Sequence, residues 1–72
     1  MLRLMIYNDE VVTLEFVIES LVEVCDHHIE QAEQCAWLLY FTGKCQIKNG
    51  ERNQIYPMYK ELLSRGFNVD IL

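Results

Sequence analysis

The sequence predicts a two-layer α+β sandwich, in which a three-stranded antiparallel sheet carries three helices on one face. Three short segments with apolar residues at alternate positions predict the strands. Three longer segments with apolar residues every three or four positions predict the helices. The resulting order is strand, helix, helix, strand, helix, strand. Helices that all cover one face of such a small sheet form two layers around one core.

The N-terminal segment predicts the first strand and the first helix. Leu2, Leu4 and Ile6 occupy alternate positions, as in a strand with one buried face. A first helix is expected over about Leu14–Cys25, because Thr13 can accept a hydrogen bond from an unpaired N–H group of its first turn. The polar segment that joins these two elements therefore lies where a strand ends and a helix begins.

A second helix is predicted over about Ile29–Thr42, after a short break at residues 26–28. Gly43 supplies the left-handed conformation that commonly follows a helix end. Residues 36–41 of this helix are apolar on nearly every side, and a domain of this size rarely buries a helix completely. The Trp37–Phe41 surface is therefore a candidate site for a partner or a ligand.

The C-terminal third predicts a strand, a helix and a strand. Lys44–Lys48 alternates around two apolar residues, and Asn49-Gly50 is typical of a turn. The third helix is expected to end at Arg65, and Pro57 indicates either a start near Tyr56 or an irregular first turn. The closing strand is indicated by three alternating apolar residues: Phe67, Val69 and Ile71.

Length and composition restrict the possible functions. A chain of 72 residues, 51% of them hydrophobic, is expected to form a single domain, 1–72. Such a small domain leaves little room for a deep active site, which argues against an enzyme. The formal net charge is −5 and the 6 basic residues are scattered, which argues against nucleic acid and favours a cationic partner. No long apolar run or signal-peptide pattern is present, so we expect no membrane association and a cytoplasmic location.

The cysteines are expected to be reduced thiols, because an odd number without a secretory signal does not indicate a disulfide framework. They are Cys25, Cys35 and Cys45. Together with His27 and His28 they are the basis of an alternative metal or redox module. Their spacing matches no common zinc pattern, and the C-x-x-C element is absent. We therefore predict neither a metal nor a cofactor.

The segment Asn8-Asp9-Glu10 offers the most distinctive chemistry. An amide and two carboxylates can accept hydrogen bonds from an ammonium group, and the amide can also donate one to a carbonyl. A peptide N-terminus requires this combination, although a solvated acidic turn is the alternative interpretation. Catalysis is not predicted, because adjacent carboxylates on an extended segment point apart. The chain also shows neither a Ser-His-Asp arrangement nor a glycine-rich phosphate loop.

Four motifs carry a resemblance to a known family. They are Asn8-Asp9-Glu10, Leu14-Glu15-Phe16-Val17, Glu30-Gln31-Ala32 and Gly43-Lys44. With this order and spacing, residues 5–44 resemble ClpS, the adaptor family that brings proteins with bulky hydrophobic N-terminal residues to a Clp ATPase–protease. The segments around the three cysteines are most similar to a branch of the family from Bacteroidetes-type bacteria. The resemblance implies a sandwich fold with the element order predicted above.

The resemblance also implies a binding site and its partners. The residues that would hold the α-amino group are Asn8, Asp9 and Tyr40. The entrance would be lined by Glu10 and Val12, and the hydrophobic pocket by Leu14, Ala36 and Leu39. The implied partners are a Clp-type ATPase, similar to ClpA or ClpC, and substrate proteins that begin with Leu, Phe, Tyr or Trp.

Four of these positions differ from the family pattern. The residues usual in the family are aspartate at Glu10, threonine at Val12, methionine at Ala36 and histidine at Tyr40. The smaller Ala36 side chain is expected to enlarge the pocket, and a phenol at Tyr40 can form hydrogen bonds but cannot become cationic. The alternative hypothesis is a divergent domain of the same fold. Such a domain would have lost amine recognition and would use the Trp37–Phe41 surface for dimerisation or for another partner.

Overall fold

The computed structural model describes all 72 residues, Met1–Leu72, and confirms the predicted fold class. In chain order, the elements are β1 (Leu2–Tyr7), α1 (Leu14–Cys25), α2 (Ile29–Thr42), β2 (Lys44–Gly50), α3 (Arg52–Ser64) and β3 (Asn68–Ile71). The limits of α1 and α2 coincide with the predicted ones. Each of the three helices is too short or too polar to serve as a membrane-spanning segment.

β1 is the central strand of the antiparallel sheet, whose order is β2-β1-β3. Leu4 and Ile6 of β1 are buried against the helices, whereas Arg3 on the opposite face is exposed and Met5, between them, is partly buried. The remaining inner-face residues of the sheet are Cys45, Ile47 and Val69. They belong to one core cluster of 15 buried residues, to which all three helices contribute.

β2 contains a bulge that shifts its register against β1. Leu4 pairs with Lys48. The next residue of β1, Met5, pairs with Gln46, so Ile47 is an extra residue on β2. Beyond the bulge, β2 continues past its predicted end at Lys48.

The predicted turn at Asn49-Gly50 is wrong, because both residues continue β2 and pair with the start of β1. Gly50 lies opposite Leu2, and a Cβ atom on it would come within 2.7 Å of Oε1 of Gln54. The glycine therefore permits a close approach between β2 and the first turn of α3. Chain reversal occurs one residue later, at Glu51.

α3 begins well before the predicted start near Tyr56. Oε1 of Gln54 accepts a hydrogen bond from the N–H group of Glu51, the N-cap residue, at 3.4 Å. Ile55 is buried in the core, so the first turn is held in place before Pro57 is reached. Pro57 lies exposed in the second turn, where it removes one backbone hydrogen bond without ending the helix.

Side chains fix both ends of α1. Oγ1 of Thr13 accepts a hydrogen bond from the N–H group of Phe16 at 3.1 Å, which confirms the predicted N-cap. At the other end, Asp26 adopts the left-handed conformation with a φ of 57°. Nζ of Lys48 donates a hydrogen bond to the carbonyl oxygen of Cys25 at 2.7 Å, and a cation is favourable at a helix C-terminus.

The expectation of three reduced thiols is wrong for two of them. Cys35 on α2 and Cys45 on β2 form a disulfide, and their Cα atoms lie 5.9 Å apart. Cys25 is free and fully buried. The pairing was not predictable because these residues, 10 apart in sequence, approach each other only after the chain reverses between α2 and β2.

Candidate functional site

The end of β1 meets the end of α2 at one corner of the molecule. The N–H group of Asn8 donates a hydrogen bond to the carbonyl oxygen of Gly43 at 2.9 Å. Gly43 can accept this bond because its φ of 86° ends α2 and turns the chain towards β2. We refer to residues 8–10 together with residues 40–43 as the β1–α2 corner. The predicted polar segment is thus held beside the C-terminal end of α2.

Local hydrogen bonds shape the polar segment before α1. Oδ1 of Asp9 accepts a hydrogen bond from the N–H group of Val11 at 3.0 Å. The backbone carbonyl of Asp9 accepts another from the N–H group of Val12 at 3.2 Å. This Asx turn reverses the chain so that Thr13 can cap α1. One carboxylate oxygen of Asp9 is therefore engaged, while its Oδ2 atom is available to a ligand.

The β1–α2 corner presents acceptors and partial negative charge. The side chains of Asn8 and Glu10 are exposed and make no hydrogen bond within the chain. α2 carries no basic residue in its last turn, so the negative end of its dipole is not neutralised there. The exposed side chain of Lys44 projects from the outer face of the sheet, because the next residue, Cys45, points into the core. The corner is therefore suited to an ammonium group.

Tyr40 contributes an exposed ring on the last turn of α2. Its ring packs edge-on against Phe41, with centroids 5.2 Å apart, and against Trp37, with centroids 6.4 Å apart. No hydrogen bond within the chain uses its hydroxyl group. Since Tyr40 lies less than one helical turn before Gly43, its backbone is close to the segment that Asn8 contacts.

The residues expected to form a hydrophobic pocket lie in the core. Ala36 and Leu39 are 2% and 1% exposed, and the partly buried Val12 and Leu14 pack against the core cluster. The described surface concavities are lined by other residues. An apolar side chain could therefore reach Ala36 only if neighbouring side chains moved aside.

An exposed aromatic patch occupies the outer side of α2. Its members, Trp37, Leu38, Tyr40 and Phe41, are between 51% and 72% exposed. The rings of Trp37 and Phe41 stack with centroids 5.6 Å apart. Gln34 joins three of these residues around a groove of about 380 Å³. The prediction that this half of α2 is not completely buried is confirmed, and we refer to these four residues as the aromatic patch.

The two histidines lie outside the β1–α2 corner. His28 is exposed, whereas His27 is buried and its Nε2 atom lies 2.9 Å from the carbonyl oxygen of Ile47. Nε2 must therefore carry the proton, which leaves the buried Nδ1 atom as an acceptor without a partner. Burial lowers the pKa of His27, the hydrogen bond to Ile47 opposes this shift, and the charge of Lys48 adds to it.

The alternative metal module loses two of its ligands in this structure. Cys35 and Cys45 are bonded to each other, so neither can offer a thiolate. No group of three or more His, Cys, Asp or Glu side chains is arranged to hold a metal ion.

Sequence reasoning did not identify the carbonyl oxygen of Gly43 as part of the corner. A backbone acceptor carries no mark in the sequence, and its meeting with Asn8 depends on how β1 and α2 pack. The Gly43-Lys44 motif marks the position, but it indicates only a helix end.

Comparison with known proteins agrees with this architecture. The family model described as ATP-dependent Clp protease adaptor protein ClpS matches residues 1–67 of the 72. The matched range includes the whole β1–α2 corner and the aromatic patch, and it ends just before β3. A comparison with curated proteins finds no match.

Proposed function

We propose that this chain, which belongs to the ClpS family of ATP-dependent Clp protease adaptors, binds the free N-terminus of proteins with a large hydrophobic first residue. It would present those proteins to the Clp ATPase–protease for degradation. ClpS is an adaptor family and not a catalytic one, and the proposal assigns no catalytic residue and no cofactor. The observation that carries the proposal is the hydrogen bond from Asn8 to Gly43, which brings acceptor-rich side chains to the negative end of α2.

The α-amino group binds at the β1–α2 corner in this proposal. Its three N–H groups would donate hydrogen bonds to Oδ2 of Asp9, the amide oxygen of Asn8 and the hydroxyl oxygen of Tyr40. The amide nitrogen of Asn8 would donate to the first carbonyl of the peptide. Charge-assisted hydrogen bonds of this kind contribute roughly 1.5–3 kcal/mol each. An acetylated N-terminus lacks both the charge and the donors.

The first side chain of the peptide would enter the apolar layer beneath the corner. Its pocket is assigned to Leu14, Ala36 and Leu39, and its entrance to Glu10 and Val12. Ala36 and Leu39 are almost completely buried in the free chain, so binding requires neighbouring side chains to move. Burying a large apolar side chain there would add roughly 1.5–3 kcal/mol.

The proposed partners follow from this chemistry and from the family. The substrates begin with Leu, Phe, Tyr or Trp, because these side chains bring enough apolar surface to offset the opening of the pocket. The ATPase is of the ClpA or ClpC kind, and the encounter takes place in the cytoplasm. Residues 1–72 would act as one adaptor domain.

A fluorescence titration with three peptides tests the proposal. One peptide begins with a free Phe, the second is the same peptide with an acetylated N-terminus, and the third begins with a free Ala. We expect the free Phe peptide to bind at least about 100-fold more tightly than the acetylated one, since several charge-assisted bonds are lost. Equal affinities for all three would contradict the proposal.

Two variants locate the site. Asp9→Asn keeps an oxygen that can accept from the N–H group of Val11, so the turn survives while the negative charge is lost. We expect it to weaken binding of the free Phe peptide by roughly 10- to 100-fold. Glu15→Gln makes the same charge change at an exposed position in the first turn of α1 and serves as the matched control. A similar loss of peptide affinity in both variants would show that the overall charge of the protein, and not the β1–α2 corner, causes the effect.

Self-association through the aromatic patch is the second candidate function. The patch combines protruding rings with a groove of about 380 Å³ on the same helix face. Such a surface is self-complementary, because two copies related by a two-fold axis can each place Trp37 in the groove of the other. Since Tyr40 belongs to both the patch and the corner, a dimer of this kind would compete with peptide binding.

Sedimentation velocity over a wide concentration range separates the two candidates. Self-association predicts a dimer that Trp37→Ala abolishes, while Glu30→Ala, on an exposed position of the same helix, leaves it intact. A protein that stays monomeric at every concentration and still discriminates free from acetylated peptides would exclude the second candidate.

A further inference from the structure

The disulfide between Cys35 and Cys45 joins α2, which contributes to the β1–α2 corner, to β2, which begins directly after it. Cys35 lies on α2 and Cys45 lies on β2, and the chain between them passes through Gly43. The carbonyl oxygen of Gly43 is the acceptor that holds Asn8. The cross-link therefore spans the reversal that places the polar segment beside α2.

Both disulfide sulfurs belong to residues that line a shallow concavity. This concavity has a volume of about 150 Å³. Its other lining residues are His27, Gln31, Gln34, Leu38, Gln46 and Ile47. Cys35 and Cys45 are 4% and 7% exposed, so exchange requires the exposed side chains of Gln31, Gln34 and Gln46 to move aside and open this concavity.

Cys25 provides an internal contrast. It is fully buried, and burial raises the pKa of its thiol to about 11. A buried, protonated thiol is unreactive towards disulfides, because the thiolate is the attacking species. The chain therefore holds one fully buried cysteine and one pair that lines a surface concavity.

We propose that Cys35 and Cys45 form a reversible dithiol–disulfide pair that exchanges with a low-molecular-weight thiol such as glutathione. A glutathione thiolate attacks one sulfur of the pair, forms a mixed disulfide and releases the other cysteine as a thiolate. A second glutathione thiolate then attacks the glutathione sulfur of the mixed disulfide and releases the remaining cysteine. Two glutathione molecules are oxidised to glutathione disulfide, the pair is reduced to two thiols, and the thiolates take up the two protons that glutathione lost. The reverse reaction uses glutathione disulfide as the oxidant.

The oxidised form holds α2 against β2, whereas the reduced form allows the two elements to separate at the corner. Oxidation should therefore stabilise the fold. As far as peptide affinity is concerned, the inference rests on the proposed function, and oxidation should also strengthen binding by keeping Asn8 beside α2.

Equilibration of the full chain with glutathione buffers tests the chemistry without any peptide. After alkylation of free thiols, trypsin cleaves after Lys44 and separates residues 4–44 from residues 45–48. An excess of glutathione disulfide should link these two fragments, and an excess of glutathione should leave them unlinked and alkylated. The proposal is overturned if the native chain keeps the same state in every buffer.

Cys25→Ala and Cys45→Ala provide the matched pair of variants. We expect the oxidised wild-type chain to melt roughly 10 °C above the reduced chain, since a cross-link restricts the unfolded state. Cys25→Ala should retain this difference between its own two forms, and Cys45→Ala should lose it. A redox response that requires Cys25 would overturn the assigned pairing.

Titration of both redox forms with the free Phe peptide completes the test. Tighter binding by the oxidised form, absent in Cys45→Ala, is the expected result. A redox-dependent melting temperature with no peptide binding in either form would refute the proposed function and leave the redox pair intact. Equal binding by both forms would refute control of the corner by the pair.

Discussion

α1 and α2 are neighbouring helices of 12 and 14 residues, but they direct different kinds of side chain to the core. α1 buries large aliphatic residues such as Val17 and Leu21, and its exposed positions are mainly glutamates. α2 buries small residues such as Ala36 and exposes large rings such as Trp37 and Phe41. The difference indicates that α1 mainly stabilises the fold, whereas α2 keeps its large apolar surface available for binding.

Leu21→Ala should have the largest effect on stability. Leu21 is fully buried on α1, and removing its side chain leaves a cavity that costs about 3–5 kcal/mol in the free energy of unfolding. Denaturant unfolding followed by circular dichroism measures this loss. Glu19→Ala, on the exposed face of the same helix, should change the free energy by less than about 0.5 kcal/mol. Similar values for the two variants would show that α1 does not support the core as described.

Ala36→Met tests the inner face of α2. The position is almost completely buried, so the longer side chain should overpack the core and destabilise it by about 1–3 kcal/mol. It should also occupy the proposed pocket and weaken binding of a Trp-first peptide more than of a Leu-first peptide. Gln34→Met, on the exposed face of α2, is the control for both measurements. Unchanged stability and unchanged peptide preference would remove Ala36 from both the core and the pocket.

His27 tests the connection between the two helices. Burial lowers its pKa in the folded state, while the unfolded chain takes up the proton near pH 6.5. The unfolded state then binds more protons, so this contribution to stability is complete above pH 6.5 and is lost as the pH falls below it. The expected slope is at most about 1.4 kcal/mol per pH unit.

Unfolding measurements between pH 5 and pH 8 check this slope. His27→Gln should reduce the loss of stability on the acid side, whereas His28→Gln should not, because His28 is exposed. The comparison between the two variants removes the contribution of the carboxylates, which titrate in both. A stability that rises as the pH falls would contradict the burial of His27.

Trp37→Ala should have the smallest effect on stability. Trp37 is about half exposed and contacts mainly its neighbours in the aromatic patch, so its removal should cost no more than about 0.5 kcal/mol. Thermal melting of the monomeric protein at low concentration measures this value. A loss as large as that of Leu21→Ala would mean that the outer side of α2 also stabilises the fold.

The helices α1 and α2 were predictable because their signals are local. Thr13 caps α1 through a residue three positions away, and Gly43 ends α2 through its own conformation. The apolar residues that recur every three or four positions within each helix indicated how far each one extends. The start of α3 was not predicted, because Pro57 is a strong local signal against a helix. The hydrogen bond between Glu51 and Gln54 and the burial of Ile55 in the core outweigh it.

The candidate site divides in the same way. Asn8 and Asp9 were identifiable because an amide and carboxylates after a strand are distinctive in the sequence. The hydrogen bond from Asn8 to the carbonyl oxygen of Gly43 was not identifiable from the sequence, since it depends on the packing of β1 beside α2. The almost complete burial of Ala36 was not predicted either, because the family resemblance assigned this residue to a ligand pocket.

The sequence by itself determined the order of the elements, the ends of the first two helices and the acidic, amide-containing segment before α1. Each of these depends on residues within a few positions of one another, whose conformational preferences act locally. The tertiary structure alone decided the extension of β2 through Gly50, the pairing of Cys35 with Cys45 and the orientation of α2. These features join residues that are distant in the chain, and only the packing of α2 against α1 and the sheet brings them together.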